Sequence, residues 1–193
     1  MIKSRNDLKS YLSQDIQRSG HKPHWITKFT YSETWMLYSY MRTLRYFEYY
    51  SNNRHWYNFP MYLYYMLSYR RRSLKYRISI PINVAGPGFS FVHPGFLRIN
   101  PDVKIGKNAT ILPNVLIGRR KPGKATNIRI GDNVYISTGA TILGPVTVGN
   151  NVTIADNSVV IKDIPDNCVV SGVPGHCGEG GWATRCYPQG SRP

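Results

Sequence analysis

Five histidines occur in the chain, and only His93, in the run FVHPG, lies within its repetitive later part; His21, His24 and His55 precede it and His176 sits in the tail. With an ordinary pKa of about 6.5, imidazole is the side chain best suited to take a proton from a neutral hydroxyl, which is a weak nucleophile until deprotonated. A lone histidine can equally be structural, so its setting has to decide. A second candidate is the stretch Gly118-Arg119-Arg120-Lys121-Pro122-Gly123-Lys124-Ala125-Thr126-Asn127. Its cations would attract a phosphorylated ligand, although a solvated loop can have the same composition. His176, Cys177 and Cys186 match no common zinc spacing and lack a fourth ligand, so no metal is expected. The three cysteines form an odd set near one end and are read as reduced thiols.

The elements that must hold these groups are set by a six-residue period. Aliphatic residues recur at Ile99, Ile105, Ile111 and Ile117, then after one break at Ile130, Ile136, Ile142, Val148, Ile154 and Val160. Four residues beyond them stand Val103, Ala109, Val115, Val134, Ala140, Val146, Val152, Ser158 and Ile164, nearly all small or β-branched. A step of six turns a helical side chain by about 240°, which would scatter this ladder around a cylinder. A straight strand would make the i+2 sites apolar, yet they hold residues such as Pro101, Lys107, Asp132 and Asn150. Each hexad therefore bends at a Gly, Asn, Asp or Pro corner, and the segments stack into a parallel β-helix with the ladder inside. Two places break the period: Phe91 to Ile99, which contains His93, and Ile117 to Ile130, which contains the basic loop. Breaks of this kind gather on functional faces.

The first third is different. Residues 1–77 hold 13 of the 15 tyrosines and 14 of the 25 Lys/Arg against four acidic residues, so most of the +15 net charge resides there. Ser4 and Asp7 read as a capping pair for a helix stopped by Gly20. A second helix is expected through Trp35, Leu37, Tyr38, Met41, Leu44 and Arg45, and a third opens at Pro60. The aromatic residues would pack these helices together, while Arg70, Arg71, Arg72 and Lys75 beside Tyr62, Tyr64, Tyr65 and Tyr69 give a face that could lie on a membrane surface. No apolar run approaches the roughly 18 residues of a membrane span, and no secretory signal is legible. A cytoplasmic location is expected. The basic charge raises nucleic acid as a partner, but no nucleic-acid motif with a mechanism is present and none is expected to bind.

The runs INPDVKIGKNATILPNVLIG and IGDNVYISTGATILGPVTVGNNVTIADNSVVIKDIPDNCVVSGVPG resemble the hexapeptide-repeat acyltransferases, in their serine acetyltransferase-like branch. The resemblance spans about residues 78–175. It implies a mainly β fold, a left-handed parallel β-helix with an N-terminal α-helical domain, a winding that departs from the usual right-handed crossover. The expected domains are residues 1–77 (helical), 78–175 (β-helix) and 176–193 (a loose tail). The resemblance also implies acetyl-coenzyme A as co-substrate and a homotrimer, or a dimer of trimers, with the co-substrate bound between subunits. His93 falls on the position of the family's catalytic base. Gly118 and Arg119 are read as a turn offering a backbone donor to the developing oxyanion and a contact to coenzyme A, while Ser137, Thr138, Ala155 and Lys162 match positions lining the cofactor groove.

Departures concern the acceptor. Serine acetyltransferases carry an aspartate beside the histidine, another about fifteen residues earlier, and a second histidine in the loop before the IGDN-like hexad. Val92, Ile78 and Asn127 stand at those places here, with Asn127 taken as the catalytic-loop residue. Losing both carboxylates removes groups that would orient the imidazole and attract the ammonium of serine. The expected acceptor is therefore a sugar hydroxyl of a surface polysaccharide or its precursor; L-serine is the alternative, and a non-catalytic oligomeric scaffold or membrane-surface adaptor is the rival from another class.

Overall fold

The computed structural model describes residues 1–20, 29–30, 32–121, 123 and 126–178. Helix α1 (Arg5–Ser19) begins with a capping box, in which Ser4 Oγ accepts from the Asp7 backbone N–H and the Asp7 carboxylate accepts from that of Ser4. It ends at Gly20, whose φ of 72° is the left-handed conformation that closes a helix cheaply in glycine. Helix α2 (Glu33–Asn52) is capped by Ser32, and α3 (Phe59–Tyr76) has Pro60 in its first turn. Aromatic rings join them. Tyr46 stacks on Tyr65 at 4.9 Å and Phe47 on Tyr69 at 5.4 Å, while Tyr40 meets Phe91 of the strand region edge-on at 5.6 Å. No described helix is long and apolar enough to cross a membrane. Around α3, Trp56, Tyr64, Leu67 and Leu74 remain exposed.

Fourteen short strands follow among the described residues. The first sheet contains β1 (Ile78–Ser79), β3 (Leu97–Ile99), β6 (Val115–Arg119), β9 (Thr141–Gly144) and β12 (Val159–Val160). The second contains β4 (Lys104–Ile105), β7 (Ile128–Ile130) and β10 (Val146–Val148). The third contains β2 (Ser90–Phe91), β5 (Thr110–Ile111), β8 (Tyr135–Ile136), β11 (Thr153–Ile154), β13 (Val169–Ser171) and β14 (His176–Gly178). All pairings are parallel except β13 with β14, and the chain visits the sheets in the same cyclic order, coil upon coil. The result is a three-sided parallel solenoid. Every member of the six-step ladder is at most 5% exposed, and the residues four further on are buried with it except Lys121, where the period breaks.

The corners explain the hexad grammar. Gly86, Gly106, Gly131 and Gly149 stack where the chain turns from the second side toward the third; a Cβ on Gly131 would lie 2.7 Å from the Gly149 carbonyl oxygen and 2.6 Å from Asn150 Oδ1. Two residues on, Asn108, Asn133, Asn151 and Asn167 all adopt φ between 55° and 58°, and their side-chain amides form a ladder at 2.9–3.1 Å. Gly131→Ala is expected to force the neighbouring coils apart, at a cost of about 1–3 kcal/mol, seen as a fall of several degrees in the thermal midpoint. An unchanged midpoint would show that this corner does not constrain the stack.

The solenoid ends are covered, as a stack of repeats requires. Helices lie over the first coil. At the other end the expectation of a loose tail is corrected for its first three residues, and that of reduced thiols for Cys168 and Cys177: His176–Gly178 pairs antiparallel with β13, and Cys177 is disulfide-bonded to Cys168. Residues 179–193, including Cys186, lie outside the described residues, as do His21, His24 and Lys124.

Candidate active site

His93 follows β2 in the widened first coil and is exposed on the edge between the third and first sheets. Its Nδ1 lies 2.6 Å from Oε1 of Glu33, sixty residues earlier. A carboxylate only accepts, so Nδ1 carries the proton and donates it; in the neutral imidazole it is then Nε2 that holds the free lone pair. Glu33 is the first residue of α2, where the helix N-terminus favours a carboxylate. A carboxylate, imidazole and free Nε2 in line form the arrangement of a general base and its orienting group. The absence of acidic residues at positions 78 and 92 therefore does not leave the imidazole unoriented: Ile78 is buried core, Val92 is exposed, and the carboxylate comes from the helical part instead. Sequence reasoning missed Glu33, because nothing local marks a residue brought in by helix docking.

The pair opens onto a cavity of about 600 Å³ between the outer face of the third sheet and helices α1 and α2. Phe91, Leu37 and Met41 supply apolar wall, and Arg18, Arg42, Thr110 and Tyr135 supply polar groups. Arg18 is fixed by Nε and Nη2, which both donate to Thr110 Oγ1 at 3.2 Å.

Behind this wall sits a buried charge cluster. All five guanidinium N–H groups of Arg45 find acceptors: Asp15 at 2.8 and 3.3 Å, Glu48 at 3.0 Å, and the Ala85 and Gly86 carbonyls at 2.9 and 2.7 Å. Asp15 Oδ1 also accepts from the Phe89 backbone and Glu48 Oε1 from that of Asn83, so the cluster ties α1 and α2 to the first coil. Burial pushes both carboxylates above their ordinary range, with Arg45 opposing it. Burial also opposes the Arg45 charge, but Glu48 and Asp15 outweigh it and hold the guanidinium firmly protonated.

The remaining predicted residues sort onto two edges. Ser137 and Thr138 follow β8 and Ala155 follows β11, on the same edge as His93 and two and three coils further along it; Ser137 donates to Asp156. Gly118, Arg119, Asn127 and Lys162 lie on the next edge, between the first and second sheets. One chain therefore does not bring Asn127 to His93. A further correction concerns Gly118 and Arg119: they continue β6, paired with Leu143 and Gly144, rather than forming an open turn. Arg119 is also tied back to Asp102 and Thr126, each at 3.2 Å, so its guanidinium is held against the solenoid. Asn127 has φ of 33° and its carbonyl accepts from Val146.

Glu33→Gln is expected to keep the fold but lower kcat by about 10- to 100-fold with little change in acceptor KM, since the pair is half exposed and a buried triad carboxylate is worth about 10⁴. Unchanged kcat across the pH profile would remove Glu33 from the site.

Residues 127–162 match the family described as bacterial transferase hexapeptide (six repeats). The serine acetyltransferase of Staphylococcus xylosus is 43% identical over 81 residues, covering 40% of this chain and 37% of that protein. That of Bacillus pumilus is 37% identical over 97 residues, covering 49% and 44%. The chain thus aligns with less than half the length of these curated relatives. Among solved structures, Brucella abortus serine acetyltransferase in complex with coenzyme A superposes with a TM-score of 0.71 at 25% identity, over 92% of this chain and 70% of that one. A serine acetyltransferase in complex with cysteine gives 0.70 at 21%, over 91% and 71%.

Proposed function

We propose, from the premise that this chain carries the repeats of the hexapeptide acyltransferase family and resembles its serine acetyltransferase-like branch, that it is an acetyl-coenzyme A-dependent O-acetyltransferase. The observation that carries this reading is the His93–Glu33 pair at the mouth of the cavity. His93 Nε2 takes the proton of an acceptor hydroxyl, whose oxygen attacks the thioester carbonyl directly. Glu33 stabilises the imidazolium so formed. The C–S bond then breaks, the imidazolium returns its proton to the departing thiolate, and no covalent enzyme intermediate forms.

The acceptor favoured by the relatives is L-serine rather than the sugar expected from the sequence, because both curated relatives are serine acetyltransferases. The orienting carboxylate whose loss spoke against serine is also present, as Glu33. A homotrimer accounts for the two edges: the His93 edge of one copy would face the edge of the next that carries Asn127, Arg119 and Lys162, with the pantetheine arm lying along Thr138 and Ala155. In this reading the solenoid is left-handed and the protein works in the cytoplasm, where acetyl-coenzyme A is made and spent. The exposed Leu67 and Leu74 on the helix that carries Arg70, Arg71 and Arg72 support a membrane-surface contact through residues 1–77.

Thiol release from acetyl-coenzyme A, measured with L-serine and with neutral monosaccharides, tests the proposal. L-serine is expected to support turnover at least about tenfold above any neutral sugar, the scale of one lost charged contact. Turnover with sugars alone would reject serine, and no acceptor-dependent release would favour the scaffold reading.

A further inference from the structure

Helix α3 has two unlike faces and no fully buried residue. Its inner face is aromatic: Tyr65 stacks on Tyr46 and Tyr69 on Phe47, which holds the helix against α2. At about 100° per residue, Phe59, Leu63, Leu67, Arg70 and Leu74 fall within an arc of about 80° turned away from those rings. All five are exposed, Leu67 by 53% and Leu74 by 82%. The outward face of a helix packed on a water-soluble body is ordinarily polar. Here it is mostly apolar, with Arg70 set inside the arc and Arg71 and Lys75 along one margin. Trp56, in the turn that leads into the helix, is exposed as well. Between Glu48 and Asp102 the sequence holds seven Lys/Arg and no Asp or Glu, so the face belongs to a stretch of one sign of charge.

We propose that the outward face of α3 docks on an anionic membrane surface, its leucines entering the headgroup boundary while Arg70, Arg71 and Lys75 extend to lipid phosphates. This rests on the membrane contact proposed above, for which it names the element and the lipid class, and is independent of the acetyltransferase reading. Apolar and basic groups on one exposed helical face are the combination such a surface binds, and long cationic side chains keep their charge in water while their stems lie among apolar groups. The helix lies on the surface and does not cross it, since Arg70–Arg72 interrupt its apolar run. A second copy is a poorer occupant, because a two-fold contact through this face sets Arg70 and Arg71 near their own counterparts with no acid from the same stretch to separate them. Nucleic acid would use the cations and leave the leucines without a role. No residue of α3 lines the cavity beside His93, so docking leaves that cavity open to soluble reactants.

Flotation of the full chain with vesicles tests the proposal, using phosphatidylcholine alone and phosphatidylcholine mixed with phosphatidylglycerol. Wild type is expected to bind the mixed vesicles about tenfold or more tightly than the neutral ones, with the preference falling as salt is raised. Arg70→Gln/Arg71→Gln and Leu67→Gln/Leu74→Gln should each weaken binding to mixed vesicles about tenfold or more, one by removing charge and the other apolar area. Because these side chains are exposed, both variants should keep the wild-type thermal midpoint, and thiol release from acetyl-coenzyme A in solution should stay within a few-fold. Vesicle binding that both variants leave intact would keep a membrane contact but overturn its assignment to α3, whereas no binding to either vesicle would reject both. Binding lost in the arginine variant but not in the leucine variant, with single-stranded DNA bound as tightly as vesicles, would mean attraction to any polyanion and overturn the proposal. A change of sedimentation coefficient in either variant without vesicles would assign the face to a second copy. Vesicle binding as expected but with no thiol release in wild type would uphold the docking face and reject the acetyltransferase reading.

Discussion

His93→Ala is expected to lower kcat for acceptor-dependent thiol release by about 10²- to 10⁴-fold, the range that a positioned general base contributes, while acetyl-coenzyme A binds as before. The imidazole is more than half exposed, so its removal should leave the thermal midpoint within a degree or two. That split between rate and stability distinguishes a base from a structural histidine. Wild-type turnover in the variant would reject the assignment, and the Glu33→Gln variant would then have no pathway to affect kcat.

Arg45→Ala should be the most damaging substitution outside the site. Arg45 is fully buried, and its loss strands Asp15 and Glu48 without their cation in a place where burial already opposes their charge. Breaking such a cluster costs about 3–5 kcal/mol, or a fall in thermal midpoint on the order of 10 °C for a chain of this size. The pH dependence has a defined sign. The stranded carboxylates have folded-state pKa values above their unfolded values of about 4, so the folded state binds more protons in that window and stability falls as pH rises through it. The variant is therefore expected to recover part of its deficit in mild acid. Replacing the whole cluster, as Asp15→Leu/Arg45→Met/Glu48→Met, should restore much of the stability, because no unpaired charge remains. A single variant as stable as wild type, or one that weakens further in mild acid, would contradict this account.

The solenoid was legible because its signal is redundant. Ten aliphatic positions at a step of six, nine of them reinforced four residues later, leave no room for a helix or a plain strand, and the same residues form the core. His93 was legible for a related reason: it occupies a break in an otherwise strict period. Glu33 carried no such mark. It reaches His93 because tertiary contacts, Arg45 and its two carboxylates among them, seat α1 and α2 on the first coil, and a sixty-residue separation gives no periodic clue. The placing of Asn127 and Lys162 on a different edge from His93 likewise depends on where the thirteen-residue break re-enters the wall. The fold-back of His176–Gly178 onto β13 escaped because GHCG lacks the alternation of a half-buried strand, and its pairing rests on one short antiparallel register.

The most direct test of the central claim is a crystal structure of the full chain with coenzyme A. The account predicts the thiol beside the edge that carries Thr138 and Ala155, with its sulfur within hydrogen-bond reach of His93 Nε2, about 3 Å or through one water, and Glu33 still on Nδ1. Coenzyme A bound on another face, or a His93 ring turned so that Nε2 points away from the thiol, would contradict it.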